Sequence, residues 1–344
     1  MLDPLGLSAV MTVQKLVSCG FALLTILFAA SIGPTSAEPV CNVDSAIGEK
    51  LQLPVYEWVD TTVQPKGIVV AVHGLTFYAA AYDKLARHLA ANGYAVYAAD
   101  LRGFGRWKTE AKKFGGDDQI HFTQSKEDLL RIVTELRIQH PEQQIICLGE
   151  SLGANYALWA LSEEQGQLFD AGIIFAPGVK TRIHPQPRMA IDFFRGLRHP
   201  NKRLNLEPYI TPYLSNDKQL TNACLADASI CRDLSPVELI KAHITNRRAI
   251  EHVERIPATT PIMLVGGAND QVFKSAALPD FAKRLGSQDV SVTTLSGKGH
   301  LLLENQEVDV RIQDALDNWL QTREPDVQMA RANPHPARLR AHSQ

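Results

Sequence analysis

The chain has 344 residues, of which 45% are apolar and 21% are charged. These fractions are typical of a globular protein with a large buried core. The 35 Lys and Arg residues nearly balance the 37 Asp and Glu residues, and the basic residues are spread along the chain. This charge balance excludes the electrostatic footprint of a nucleic-acid-binding protein, so no nucleic-acid partner is predicted.

The first 37 residues have the features of a signal peptide. Lys15 precedes an apolar run at residues 21–30, and the small residues at 35–37 suit cleavage before Glu38. The alternative is an uncleaved membrane anchor, but the apolar segment is marginal for spanning a bilayer, which takes about 20 residues. We therefore expect an exported protein, periplasmic or secreted, with N-terminal anchoring as the second hypothesis.

Four cysteines remain after residue 37, at positions 41, 147, 224 and 231. An oxidising compartment permits disulfides, and Cys224 and Cys231 are close enough in sequence to close a small loop. Cys147 lies in an apolar run and is interpreted as a small buried hydrophobe. There is no Cys-x-x-Cys pair, so the sequence supports neither a zinc site nor a thioredoxin-like motif, and it predicts no metal or cofactor.

The next part of the chain alternates between strands and helices. Apolar, β-branched runs predict the strands and helical spacing predicts the segments between them. Strands separated by single helices pair in parallel, which predicts an α/β fold with a mostly parallel central sheet and helices on both faces. The predicted strands are 68–72, 94–99, a segment from 145, 171–176, 262–265 and 290–295, and the predicted helices are 79–91, 125–139, a segment after 152 and 308–320.

The alternation stops between Pro177 and Pro261. Proline is frequent there, no clear strand is visible, and short helical patterns occur at residues 188–197 and 236–255. Open α/β folds bind ligands at the carboxyl edge of the sheet. We therefore predict a helical cap at about residues 178–258, inserted before the next sheet strand.

The sequence "GESLG", residues 149–153, places Ser151 where a predicted strand turns directly into a helix. Glycines two residues away on each side allow a strained turn that lifts the serine hydroxyl out of the sheet. The pattern alone is weak, because it recurs by chance, but its place between a strand and a helix predicts that Ser151 is a nucleophile.

A serine nucleophile needs a base and an acid that orients the base. Asp270 follows the strand in "IMLVGGAN", and His300 lies in "SGKGHLLLE" after the last strand. The order serine, acid, histidine is the one expected for this architecture. We predict that Ser151, Asp270 and His300 form a catalytic triad.

Other interpretations of these residues are open. Asp270 could cap a helix that starts near Ser275, and His300 could be a solvated loop histidine. Asp100 also follows a strand and could replace Asp270 as the acid, although a turn-stabilising role together with Arg102 is preferred.

The reaction also requires donors for the oxyanion that forms on attack. We predict the backbone amides of Leu75 and Leu152 as these donors, because Leu75 follows a strand end and Leu152 starts a helix directly after the nucleophile. His73 is predicted to fix the turn by hydrogen bonding. Glu150, next to the nucleophile, could raise the basicity of the histidine or contact a cationic group of the substrate, but a structural role, held by hydrogen bonds inside the fold, is preferred.

Five segments together resemble the α/β-hydrolase superfamily, in its monoglyceride lipase and lysophospholipase branch. They are His73-Gly74, "ADLRGFG", "GESLG", "GGAND" and "GKGHLLLE", and the resemblance extends from about residue 55 to residue 319. It implies an ester hydrolase with its triad and oxyanion donors at the positions above. The chain has Gly149-Glu150-Ser151 where members often carry Gly-His-Ser, and residues 73–78 depart from their His-Gly-x-Gly-Glu-His stretch.

The cap bears on the substrate. Met189, Phe193, Phe194 and Leu197 lie on one face of a predicted helix. This stripe either packs the cap onto the sheet or, with the nearby cations, rests transiently on an anionic lipid surface. Both interpretations place an apolar roof over the nucleophile, which suits an ester with an acyl chain. The cations are Arg188, Arg195, Arg198, Lys202 and Arg203.

The sequence therefore predicts an exported serine hydrolase that cleaves acylglycerol-like or lysophospholipid-like carboxylic esters through an acyl-enzyme on Ser151. An acyltransferase or peptidase with the same triad is an alternative, as is a binding protein that keeps the scaffold without turnover. The predicted organisation is a signal peptide at 1–37, an α/β-hydrolase domain at 38–322, and a disordered tail at 323–344, which is polar and contains three prolines.

Overall fold

A computed structural model describes residues 38–183, 187–304 and 307–323. The predicted signal peptide, residues 1–37, lies outside the described residues, and so do residues 324–344 of the predicted tail. Within the described ranges, no helix has both the length and the apolar character that crossing a membrane requires.

Eight strands form the central sheet in the order β1-β2-β4-β3-β5-β6-β9-β10. The six strands from β4 to β10 in this order pair in parallel, while β1 and β2 are antiparallel at one edge. The mostly parallel sheet confirms the predicted fold class. The strands are β1 Val40–Asn42, β2 Val55–Val59, β3 Gly67–Val72, β4 Tyr94–Ala99, β5 Gln144–Glu150, β6 Ala171–Phe175, β7 Leu204–Asn205, β8 Asp233–Leu234, β9 Ile262–Gly267 and β10 Val290–Leu295.

Helices cover both faces of this sheet. Alternate side chains of β3 enter different clusters: Val70 packs in one core and Val69 in the core on the opposite face. Because successive side chains of a strand point to opposite faces, a strand buried on both sides must be apolar throughout, as β3 is. The helices are α1 Ala46–Leu51, α2 Asp83–Ala91, α3 Trp107–Glu110, α4 Phe122–Gln139, α5 Leu152–Ser162, α6 Pro187–Gly196, α7 Glu207–Leu214, α8 Lys218–Ala226, α9 Pro236–Arg248, α10 Leu278–Ala282 and α11 Val310–Gln321.

The insertion between β6 and β9 holds more structure than the sequence indicated. It contains α6 to α9, and β7 pairs with β8 in a two-residue antiparallel ladder. The predicted helix at 236–255 ends at Arg248, and a separate 3-10 turn follows at Val253–Arg255. Ser235 and Glu238 form a capping box that fixes the start of α9.

The cysteines do not form the small-loop disulfide that the sequence allowed. Cys224 and Cys231 are buried, free thiols. The Cys231 thiol instead donates a hydrogen bond to the carbonyl oxygen of Asp233, at 3.2 Å. Cys147 is buried in β5 as expected.

Candidate active site

Ser151 occupies a strained turn between β5 and α5. Its φ of 57° and ψ of −116° are unusual for a residue with a side chain. Glycine is required on both sides, because a Cβ on Gly149 would lie 2.3 Å from the Gly153 carbonyl oxygen, and one on Gly153 would lie 1.9 Å from that of Val72. The glycines therefore serve the close approach of α5 to the sheet and expose the serine hydroxyl.

Three side chains from distant parts of the chain meet at this turn. His300 Nε2 lies 3.0 Å from Ser151 Oγ, and His300 Nδ1 lies 2.9 Å from Asp270 Oδ2. The side chains of Asp270 and His300 are both buried. Although burial opposes its ionisation, the hydrogen bond and charge of His300 lower the pKa of Asp270. An ionised Asp270 accepts from Nδ1–H, which leaves Nε2 to accept the serine proton.

Asp270 also organises its own turn. Its Oδ1 accepts hydrogen bonds from the backbone N–H groups of Val272 and Phe273, at 2.7 and 2.9 Å. One carboxylate oxygen of Asp270 thus stabilises the turn at Val272 and Phe273 while the other contacts His300. The interpretation of Asp270 as a helix cap is wrong, because the residue before the 3-10 turn at Ser275–Ala277 is Lys274 and no side chain caps that turn. His300 is buried, so its interpretation as a solvated loop residue is also wrong.

Glu150 has the structural position expected of it. It is fully buried, and its carboxylate accepts hydrogen bonds from the backbone N–H groups of Leu302, Leu303 and Glu304. These contacts join the residue before the nucleophile to the segment that directly follows His300. They fix the histidine loop relative to the elbow.

His73 holds the turn after β3, as predicted. Its Nε2 accepts from the Leu101 N–H at 2.9 Å, so Nδ1 carries the proton and donates to the Gly74 carbonyl oxygen at 2.8 Å. Burial lowers the pKa of His73 to about 4, so the ring is neutral at neutral pH. Leu75 lines the same cavity as Ser151, His300 and Leu152. The donor roles of Leu75 and Leu152 stay predictions.

Asp100 takes no part in the constellation. Its two oxygens accept hydrogen bonds from the backbone N–H groups of Ala79 and Arg106, at 2.7 and 2.9 Å. Burial raises the pKa of Asp100 to about 6. Asp100 therefore stabilises a turn, as expected. The prediction that Arg102 is its partner is wrong, because Arg102 pairs with Asp128 instead.

The structure adds Glu304, which the sequence analysis missed. It is 3% exposed, and its Oε1 accepts a hydrogen bond from the Gly74 N–H at 2.6 Å. Glu304 and Gly74 are 230 residues apart in sequence, so no local pattern links them. The one sequence feature that could have indicated Glu304 is its position as an acidic residue at the end of the apolar run that follows His300.

A cavity of about 1060 Å³ lies between the cap and Ser151. Met189, Phe193 and Phe194 of α6 line it, which gives the predicted apolar roof. The interpretation of this stripe as core packing is wrong, because no residue of α6 is buried and Phe194 is 68% exposed. In the described part of the chain, no cluster of His, Cys, Asp and Glu is arranged to hold a metal ion.

A mostly parallel sheet with a serine at its strand-to-helix elbow, and a histidine and an acid at the ends of later strands, defines an α/β-hydrolase. Among solved structures, the monoacylglycerol lipase of Paleococcus ferrophilus has a TM-score of 0.61 at 21% identity and covers 78% of this chain and 98% of its own. A soluble variant of the monoglyceride lipase of Saccharomyces cerevisiae has a TM-score of 0.64 at 17% identity, covering 78% and 92%.

Sequence comparison identifies the family. The model of the serine aminopeptidase (S33) family matches residues 63–307, and the chain belongs to this family. The chain is 25% identical to a monoacylglycerol lipase of Mycolicibacterium smegmatis, over 77% of this chain and 92% of that protein. It is 24% identical to the monoglyceride lipase of Homo sapiens, over 76% and 84%. These findings confirm the predicted resemblance to the monoglyceride lipase-like branch.

Proposed function

We propose that the protein is an exported serine hydrolase that cleaves carboxylic esters of the acylglycerol or lysophospholipid type. The observation that carries this proposal is the hydrogen-bonded chain from Ser151 through His300 to Asp270, at the floor of a cavity with an apolar roof. The similarity to monoacylglycerol lipases supports an ester as the substrate.

The proposed reaction proceeds through an acyl-enzyme. His300 Nε2 takes the proton from Ser151 as the serine oxygen attacks the ester carbonyl, and Asp270 stabilises the imidazolium that forms. The amides of Leu75 and Leu152 stabilise the oxyanion. His300 then donates its proton to the leaving alcohol. A water molecule, deprotonated by His300, attacks the acyl group and releases the acid with Ser151 restored.

The cavity favours an acyl chain as the part of the substrate beneath the cap. Its volume of about 1060 Å³ lies just above the range for small-molecule sites, about 300–1,000 Å³. Phe193 and Met189 offer apolar contact along the roof. Burying an acyl chain there is favoured by about 0.8 kcal/mol for each methylene group.

Peptide cleavage is less favoured by the charges of the cavity. An aminopeptidase must bind the positively charged amino terminus of its substrate, which calls for carboxylates. The cavity instead has Arg195, Lys202 and Arg247 in its lining, and its acids are Asp192 and the buried Glu304. Asp192 already accepts a hydrogen bond from the hydroxyl of Tyr209. Cations at this position suit the polar part of a lipid ester better than an amine.

Export and transient membrane contact are parts of the same proposal. Export rests on the signal-peptide features of residues 1–37. Sequencing the N-terminus of the protein recovered from its native host would test cleavage before Glu38. Membrane contact rests on α6, where the exposed Phe194 lies between Arg188 and Arg195, both of which have largely exposed side chains.

A fluorophosphonate probe tests the nucleophile directly. We expect the native protein to be labelled, Ser151→Ala to lose the label, and Ser296→Ala, which changes an exposed serine, to keep it. An unlabelled native protein would favour the binding-protein alternative. A panel of monoacylglycerols, lysophospholipids and p-nitrophenyl esters of increasing chain length then tests the substrate. Activity that falls steadily beyond acetyl would contradict the lipid ester.

A further inference from the structure

Two buried carboxyl groups lie behind the nucleophile and take no direct part in the proposed reaction. Glu150 is 0% exposed and Glu304 is 3% exposed. They are also directly linked, because the Glu304 N–H donates a hydrogen bond to Glu150 Oε2 at 3.1 Å. A pair of buried acids carries a large desolvation cost, so its presence calls for a physical account.

Each acid holds a different part of the site. Glu150 accepts hydrogen bonds from the Leu302 and Leu303 N–H groups, at 2.5 and 3.2 Å, and so fixes the segment after His300. Glu304 Oε1 accepts from the Gly74 N–H at 2.6 Å and so fixes the turn that presents the Leu75 amide. The pair therefore connects the elbow, the histidine loop and the turn at Gly74.

Gly74 is held at both of its backbone polar groups. His73 Nδ1 donates to its carbonyl oxygen, and Glu304 accepts from its N–H. A Cβ on Gly74 would lie 3.0 Å from Glu304 Oε2 and 3.4 Å from Ser151 Cβ, which shows how closely the turn, the acid and the nucleophile approach one another. A shift of about 1 Å in a reacting or stabilising group is enough to slow catalysis markedly.

We propose that Glu150 and Glu304 act as one positioning unit, which sets the oxyanion turn at Gly74-Leu75 relative to the Ser151–His300 pair. This inference rests on the proposed function of Ser151. Neither acid is a catalytic residue, since each acts through the backbone groups that it holds.

In this unit the two carboxyl groups carry one acidic proton between them, and that proton is bound to Glu304. Burial and the charge of Glu150 raise the pKa of Glu304 well above the ordinary carboxyl value. Burial also raises the pKa of Glu150, but three backbone N–H groups favour its charged form, whereas only one donates to Glu304. The other titratable groups that face the pair are His300, Tyr82 and the Cys224 thiol. The Tyr82 hydroxyl lies beside Glu304 and favours its charged form, but its effect on the Glu304 pKa is smaller than those of burial and of the Glu150 charge.

Substitutions at Glu304 separate positioning from simple packing. Glu304→Gln keeps an acceptor for Gly74 and mimics the neutral acid, whereas Glu304→Leu removes the acceptor. With a short p-nitrophenyl ester we expect Glu304→Leu to lower kcat roughly 10- to 100-fold with KM little changed, because the affected contact serves the transition state. Glu304→Gln should stay within about threefold of the native kcat. Its kcat should also not depend on the ionisation of this carboxyl, whereas the kcat of the native enzyme should fall as pH rises through the raised pKa of Glu304.

Hydrogen exchange measured by mass spectrometry provides a readout that needs no substrate. We expect exchange at residues 74–76 to be at least tenfold faster in Glu304→Leu and close to native in Glu304→Gln. In Glu150→Gln, exchange should rise at 302–304 and at 74–76 together, because the two acids act as a unit. The control is Glu251→Gln, which changes an exposed acid.

Several results would overturn the positioning unit. They are native exchange at 74–76 in Glu304→Leu, a Glu304→Gln enzyme as slow as Glu304→Leu, or an effect of Glu150→Gln confined to 302–304. If the native protein neither hydrolyses esters nor takes the fluorophosphonate label, the proposed function fails, while the exchange measurements still decide whether the two acids hold the turn.

Discussion

The carboxyl edge of the sheet and the cap roof are built in opposite ways. At the sheet edge, Asp270, His300 and Glu150 are buried, and each makes at least two hydrogen bonds. In the roof, α6 has no buried residue, and Phe194 is mostly exposed although it lines the cavity. In the proposed reaction, the edge would hold the reacting atoms in place, whereas the roof would offer an apolar surface to the substrate. Substitutions in the two regions should therefore change different kinetic constants.

The largest effect is expected at His300. Replacing His300 with alanine removes the proton acceptor of Ser151 and should lower kcat by roughly 10⁶-fold. Because serine and histidine act as a unit, Ser151→Ala combined with His300→Ala should be no slower than either single variant. Steady-state hydrolysis of a p-nitrophenyl ester measures this, with His121→Ala as the control, because His121 contacts the exposed Asp117 and does not line the cavity. Losses that multiply in the double variant would contradict the arrangement.

Asp270→Asn should have the next largest effect. Asparagine retains an acceptor for the turn at Val272 and Phe273, but its neutral amide cannot favour the required tautomer of His300, so kcat should fall about 10⁴-fold with little change in KM. The matched control is Asp280→Asn, which changes an exposed acid in α10. A loss of tenfold or less would show that another group orients the imidazole.

The sheet edge was also the more predictable of the two regions. Five of the six parallel strands follow from largely apolar runs, and β10 follows from its β-branched residues. The candidate nucleophile, acid and histidine follow from where β5, β9 and β10 end. By contrast, β1 has three residues, too few to show a period, and in β2, which lies between β1 and β4, Glu57 interrupts the apolar run. Neither leaves a strong local signal.

The remaining differences come from contacts between residues far apart in sequence. Arg102 is two residues from Asp100, but it reaches Asp128 on α4. Glu304 is joined to Gly74 only by the fold. In the cap, α7 contains Pro208 and Pro212, which obscure a helical pattern, and the exposure of α6 is decided by what covers it and not by its amphipathic spacing.

A cap substitution should show the opposite kinetic signature from the triad. Phe194→Ala removes apolar surface from the roof without touching the triad, so KM for a long-chain ester should rise roughly 10-fold. Complete burial of such a side chain contributes about 1.5–3 kcal/mol, and Phe194 is only partly covered, so the effect should lie at the lower end of that range. The kcat for an acetyl ester should not change. Ile138→Ala, an exposed apolar residue on α4, is the control. Equal effects on acetyl and long-chain esters would place Phe194 outside the acyl site.

The smallest effect that distinguishes the two regions is a difference in how stability depends on pH. Glu304 lies at the sheet edge with a raised pKa, so its contribution to folding is complete below the ordinary carboxyl pKa, about 4.5, and is lost as pH rises toward the raised value in the folded protein. Glu304→Gln cannot lose a proton. Its free energy of unfolding relative to the native protein should therefore increase with pH above about 4.5, by on the order of 1 kcal/mol or more by neutral pH.

Urea unfolding of both proteins from pH 4 to pH 8 measures this difference. Glu251→Gln, at the end of the cap insertion, should show no such trend, because Glu251 is exposed. A difference between Glu304→Gln and the native protein that stays constant across this range would mean that Glu304 ionises normally in the fold. In that case a charged Glu304 carboxylate would accept the hydrogen bond from Gly74. The sheet edge would then differ from the cap only in how deeply its side chains are buried, and not in a proton retained by Glu304.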